Sequence, residues 1–257
     1  MGRTLWVRTV STLVMAPLVL LVVWLGEPWL TLGMAGFYLL GAHEWSRICD
    51  DGGSTPVSWL NFLGGLPILY IGMTGHLSLL WPVLAALLAV NLVIPPFIGL
   101  SGGTVGMDLF GQIYIALPLA YLELLRAHGF LPAAVALLLV WGSDIGAYFV
   151  GSAAGRHPLV PRLSPKKSWE GLIGGILFAG LLGLTLVPLW LHRPDWFGLS
   201  VGLIAGVLAS VGDLGESAIK RWANAKDSGF FLPGHGGLLD RVDSLLFALP
   251  ALYYLLR

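Results

Sequence analysis

From Gly171 to Leu191 the chain reads "GLIGGILFAGLLGLTLVPLWL", without one ionisable side chain. At about 1.5 Å per helical residue, a run of this length reaches roughly 30 Å, the thickness of a bilayer's hydrocarbon core. Lipid offers no hydrogen bonds, so a segment crossing it must satisfy its backbone internally, and a long uninterrupted apolar run does so as a helix. Similar runs recur along the chain. Hydrophobic residues make up 56% of the 257 and charged residues 11%, with a mean hydropathy of +0.83; a soluble domain carries about 25% charge. The expected fold class is all-α, a polytopic transmembrane helix bundle with no room for a large soluble domain.

Apolar runs and their breaks predict nine spans, at 10–25, 29–46, 59–75, 77–98, 107–125, 131–150, 168–191, 197–216 and 238–256. Gly26–Pro28, the "DDGGSTP" of Asp50–Pro56 and Gly75–His76 punctuate them. Arg3 and Arg8 precede the first run, and without a small-x-small cleavage site it reads as an uncleaved span rather than a signal peptide. The expected organisation is one integral membrane unit, with N-terminal helices over 1–130 and a C-terminal catalytic region over 131–257. The single Cys49 excludes an intramolecular disulfide.

Charge gives the sides. With the N-terminus in the cytoplasm, eleven of the 14 basic residues fall on the cytoplasmic face, and only Arg126, Arg193 and Arg257 on the other. This is the positive-inside bias. It puts two longer polar segments, Gly151–Lys167 and Glu216–Gly237, on the cytoplasmic side.

The acids gather at the same end. Glu44, Asp144, Asp213, Asp240 and Asp243 stand at the cytoplasmic ends of four predicted spans. Charges at the edge of lipid are costly, so such a group marks function. Asp213, Glu216, Ser217 and Lys220 stand at i, i+3, i+4 and i+7, one helix face; Asp240, Asp243 and Ser244 at i, i+3 and i+4 form a second. Clustered carboxylates suit a hard divalent cation, and Mg²⁺ takes one or two of them, leaving room for water and phosphate. Two plainer readings stand beside this: Asp240 caps the last helix, or Asp213 pairs with Lys220 or Arg221. In "RLSPKKSWEG", Lys166, Lys167 and Ser168 at a helix start offer an anion site. "LPGHGG" offers a glycine-rich turn for phosphate, with His235 a base or donor within it.

The stretch "SAIKRWANAKDSGFFLPGHGGLLDRVD", Ser217 to Asp243, resembles the signature of CDP-diacylglycerol synthases, also called phosphatidate cytidylyltransferases. Its fixed positions are filled by Ser217, Lys220, Arg221, Lys226, Asp227, Gly229, Pro233, His235, Gly236, Gly237, Asp240, Arg241 and Asp243. "SDIGAYFVGSAAGRHPLVPRLSPKKSWEG", Ser143 to Gly171, and "GDLGES" resemble further family segments, and the "HEW" of His43–Trp45 is a faint N-terminal echo. The resemblance implies that CTP and phosphatidate give CDP-diacylglycerol and pyrophosphate with Mg²⁺ or Mn²⁺, a second cation such as K⁺ being a further expectation. It implies Asp213 and Asp240 as principal metal ligands with Asp144 and Asp243 beside them. Lys226 and His235 join these as catalytic candidates. Lys166, Lys167, Ser168, Ser217, Lys220, Arg221 and Arg241 are the candidates for substrate contact. The implied partners are the two substrates and membrane lipid, with a homodimer as one expected assembly and no nucleic acid. The implied place is a bacterial inner membrane with the site facing the cytoplasm.

A transporter would also carry intramembrane acids, but near the midplane and often with inverted repeats, and no repeat is visible. The D-G-x-x-A-R…G…D…D pattern of CDP-alcohol phosphotransferases is absent.

Overall fold

Apolar runs become helices wherever the structure describes them. The computed structural model describes residues 15–51, 58–98, 102–223 and 237–257. Helices α1 (Met15–Leu25), α2 (Trp29–Asp51), α3 (Ser58–Gly64), α4 (Leu66–Thr74), α5 (Leu80–Phe97) and α6 (Gly102–Ala127) are followed by α7 (Phe130–Ala154). A short antiparallel pair comes next, β1 (Pro158–Val160) and β2 (Ser164–Ser168). Then come α8 (Trp169–Leu191), α9 (Asp195–Trp222), a 3-10 turn at Leu239–Arg241, and α10 (Asp243–Leu256). Among the described residues, five stretches are long and apolar enough to cross a membrane: Leu77–Pro95, Gly106–Ala127, Phe130–Ala154, Trp169–Leu191 and Asp195–Trp222. Large apolar side chains on them, such as Trp81 and Leu189, stay exposed, as lipid-facing residues do. This is an all-α membrane bundle.

Two predicted spans are corrected. The third is two helices meeting at Gly65. Pro67 has no N–H for a continuous ladder, and the Tyr38 hydroxyl enters the break, accepting from Gly65 N–H at 2.7 Å and donating to the Asn61 carbonyl. Those two groups would otherwise bond each other across one helical turn, so the tyrosine hydroxyl stands in for the lost bond. The ninth span starts at Asp243 rather than 238. Asp240 lies in the separate 3-10 turn, so Asp240, Asp243 and Ser244 share no helix face. Part of the polar segments is ordered too: α9 runs on through Trp222, and β1–β2 occupies most of 158–168.

The chain divides into two compact units, Met1–Ala127 with Trp222–Arg241, and His128–Arg221 with Val242–Arg257. In the first, α6 packs against α2, α3, α4 and α5. Two pairs of its buried polar side chains meet across helices: Asn61 Nδ2 donates to Asp108 Oδ1 at 2.8 Å, and Asn91 Nδ2 to Gln112 Oε1 at 3.0 Å. Arg126 donates to the last carbonyls of α1, Val23 at 2.6 Å and Trp24 at 3.1 Å, which a helix end leaves open.

In the second unit α7 and α8 form a hairpin and α9 lies against α8. Small residues bring their backbones together, as expected of helices associating in lipid. A Cβ on Gly175 would stand 2.7 Å from the Ser143 carbonyl, and one on Gly202 2.2 Å from that of Ala179. The same device joins α9 to α10, where a Cβ on Gly212 would stand 2.2 Å from the Asp243 carbonyl. That contact sets the acids of α9 beside the start of α10.

Candidate active site

The second unit assembles a cluster of acids from three helices. Along α9, the predicted stripe of Asp213, Glu216, Ser217 and Lys220 lies on one continuous helix. Glu216, its side chain 2% exposed, holds Lys220 at 3.2 Å. Asp213 pairs with Lys167 at 2.7 Å, and the same ammonium reaches Ser217 Oγ at 3.4 Å. The expected partners of Asp213, Lys220 and Arg221, are engaged elsewhere. Glu216 holds the lysine, and Arg221 Nε donates to the Leu163 carbonyl at 3.1 Å.

Lys167 arrives on β2. Neighbouring residues on a strand point to opposite faces. Lys166 is exposed while Lys167 is half-buried, so the two lysines meet different surroundings. Ser168 serves as the N-cap of α8, its Oγ accepting from Gly171 N–H at 3.1 Å. Glu170 fastens the base of the hairpin. It accepts from the backbone N–H of Arg156 at 3.1 Å and of His157 at 3.3 Å, and meets His157 Nδ1 at 2.5 Å.

Asp144 on α7 and Asp243 on α10 complete the group through Ser244. The Ser244 hydroxyl lies 3.0 Å from Asp144 Oδ1 and 3.3 Å from Asp243 Oδ1, and Ser244 N–H donates to Asp243 Oδ1 at 2.7 Å. Glu216, Asp213 and Asp144 all stand within electrostatic reach of Asp243. Among the described residues, three carboxyl groups thus lie in reach of Asp243, and the ammonium groups of Lys167 and Lys220 pair with two of them. Glu216 and Ser244 stand in the helical patterns of the sequence, but only the packing of α9 on α10 makes them members of the site.

In the first unit Asp240 does not cap α10, whose N-cap is Val242. Its Oδ2 accepts from Gly237 N–H at 2.8 Å. The next two amides are also taken, by an acid that the sequence groups with the others without assigning it a role: Glu44 accepts Leu238 N–H at 2.8 Å and Leu239 N–H at 3.0 Å. Gly237, the last residue of the glycine-rich turn, therefore spends its amide on Asp240. Lys226 and His235 lie outside the described residues, and for Arg241 the backbone alone is described.

The donor chemistry fits a hard cation. All the acids offer oxygen, and the cluster carries more carboxyl than ammonium groups. Among the described residues, no three acids, histidines or cysteines stand together as a ready cage. An ion that keeps water and substrate phosphate as ligands needs only one or two carboxylates.

Residues 6–257 match the model of the cytidylyltransferase family. The chain belongs to this family. The chain is 35% identical over 254 residues to a phosphatidate cytidylyltransferase of Brucella suis, covering 96% of this chain and 91% of the relative. It is 38% identical over 271 residues to one of Pseudomonas aeruginosa, covering 97% and 96%. A third, from Bacillus subtilis, is 43% identical over 157 residues, 59% of this chain and 58% of the relative. The chain thus resembles these relatives along its membrane helices as well as at the signature.

Proposed function

We propose that this membrane cytidylyltransferase joins CTP to phosphatidate, forming CDP-diacylglycerol and releasing pyrophosphate. The observation that carries the substrates is the identity, along more than nine tenths of both chains, to enzymes named for this reaction. The acid cluster of the second unit supports the place. It lies where polar and apolar residues meet on α7, α9 and α10, as a reaction between a soluble nucleotide and a lipid headgroup requires.

In the transfer, a phosphate oxygen of phosphatidate bonds to the α-phosphorus of CTP. The bond from that phosphorus to the oxygen bridging the β-phosphate breaks, and pyrophosphate leaves with the electron pair. The attacking oxygen is already anionic near neutral pH, so the protein's task is to bring anions together and offset their charge. Lys167 and Lys220 supply positive charge at the cluster, and Ser217 and Ser244 supply hydroxyl groups. Asp213, with Asp144, Asp243 and the buried Glu216, is proposed to hold Mg²⁺ or Mn²⁺. Asp240 is proposed for the same task from the signature. A bound divalent ion would draw negative charge from the phosphates and the leaving pyrophosphate. The eleven-to-three distribution of basic residues supports a site facing the cytoplasm of a bacterial inner membrane. K⁺ as a second cation and a homodimer remain part of the proposal through the family resemblance alone.

The test is direct. Purified protein in detergent, given CTP, phosphatidate and Mg²⁺, should form CDP-diacylglycerol and pyrophosphate in equal amounts, with neither appearing when one substrate is left out. Pyrophosphate released from CTP without lipid, or lipid product of a different headgroup, would contradict the assignment.

A further inference from the structure

Glu44 lies on α2, 194 residues before the signature amide it binds, and it is 5% exposed. A buried carboxylate is costly unless its oxygens are hydrogen-bonded. Here each oxygen accepts a backbone N–H, Oε1 that of Leu238 at 2.8 Å and Oε2 that of Leu239 at 3.0 Å. Asp240 follows at once, its Oδ2 accepting Gly237 N–H at 2.8 Å. Three consecutive amides are therefore fixed by two carboxylates, one of them Asp240 itself. The helix that supplies Glu44 is braced at the same level. The neighbouring Trp45, 1% exposed, donates its indole N–H to the Met107 carbonyl on α6 at 3.0 Å. A Cβ on Gly111 would stand 2.2 Å from that nitrogen. Leu239 is buried beside Gly41, whose added Cβ would meet it at 3.3 Å.

We propose that Glu44 is a positioning residue of the enzyme: its carboxylate, anchored through α2 to α6, fixes the backbone of Leu238 and Leu239 and so sets where Asp240 presents its carboxylate. Two acceptor oxygens are needed for two adjacent donors, and the amide of a glutamine has one. The proposal rests on the reading of Asp240 as a residue that serves the cation. It gives the "HEW" stretch a task within the reaction although it lies far from the signature in sequence.

The experiment compares wild type with Glu44→Gln, Glu44→Asp and Asp240→Asn in purified, detergent-solubilised protein. Three quantities are read: turnover as a function of Mg²⁺, KM for CTP, and hydrogen–deuterium exchange over 237–243. Loss of one charge-assisted hydrogen bond corresponds to roughly ten- to a hundredfold. Glu44→Gln should therefore raise the Mg²⁺ concentration for half-maximal rate by about that factor, with KM for CTP within about threefold of wild type. Exchange should quicken over 237–243 and stay unchanged in α7 and α8. Glu44→Asp, which keeps both acceptors on a shorter stem, should recover part of the loss. Exchange and Mg²⁺ dependence both unchanged in Glu44→Gln would overturn the proposal. So would a general fall in thermal stability with wild-type Mg²⁺ dependence, the mark of a merely structural role. Asp240→Asn separates the two layers. If it loses Mg²⁺ dependence while Glu44→Gln keeps it, the positioning role fails; if Asp240→Asn itself keeps wild-type dependence, the metal reading of Asp240 fails and takes the proposal with it.

Discussion

Lys167 and Lys166 are adjacent in sequence and unlike in situation. Lys167 is held 2.7 Å from Asp213, inside the acid cluster, while its neighbour is turned out on the other face of β2. Lys167→Gln should raise KM for CTP or phosphatidate by roughly ten- to a hundredfold, the worth of one charge-assisted hydrogen bond. Lys166→Gln should cost at least about tenfold less. Michaelis curves for both substrates at fixed Mg²⁺ decide it, and equal losses in the two variants would mean that the strand does not divide their roles. Chelation belongs to the same scale. If carboxylates of the cluster serve a divalent ion, chelator should stop turnover, and added Mg²⁺ or Mn²⁺ should restore it without refolding. Activity that survives exhaustive chelation would remove the metal from the account.

Between elements, the closest approach at the site is that of α9 to α10 at Gly212. A methyl group there would stand 2.2 Å from the Asp243 carbonyl, so Gly212→Ala must push the helices apart. The expected cost is about 1–3 kcal/mol of stability, as for other overpacked interiors, with a larger proportional loss of turnover, because Asp213 and Asp243 ride on the two helices that move. Thermal melting and rate measured on one preparation check this; a variant with wild-type melting and rate would show that the contact does not hold the site. This scale also marks the limit of the sequence. The apolar runs forecast the helices because lipid leaves the backbone little choice, and the α9 stripe was legible because helical spacing alone puts Asp213, Glu216 and Lys220 on one face. The break at Gly65 was not, since the hydroxyl that stabilises it comes from Tyr38, 27 residues away. Asp240 was assigned to the wrong element because periodicity continues smoothly from 238 to 256 and does not mark the break at Val242, the N-cap of α10. The partner of Asp213 was missed because Lys167 reaches it from another element, and the plausible choices in sequence lay closer.

For the whole molecule, the positive-inside bias and the order of the helices predict where each loop lies. Ser164 on β2 and Arg193 flank α8 (Trp169–Leu191), one of the five stretches long enough to cross a membrane. Single cysteines at these positions, in a Cys49→Ser background, should be modified from opposite sides, Ser164→Cys from the cytoplasm and Arg193→Cys from outside. Modification of both from one side would contradict the span and with it the cytoplasmic site. The central claim is that cytidylyl transfer takes place at the carboxylate cluster built on α7, α9 and α10, and Asp213 tests it best, because it is paired with Lys167 and sits next to the Gly212 contact. The measurement is CDP-diacylglycerol formation by purified Asp213→Asn at saturating CTP, phosphatidate and Mg²⁺, beside wild type of equal melting temperature. The account predicts a fall of about a hundredfold or more, beyond the ten- to a hundredfold typical of residues that merely support a metal ligand. Product formed at the wild-type rate would contradict it.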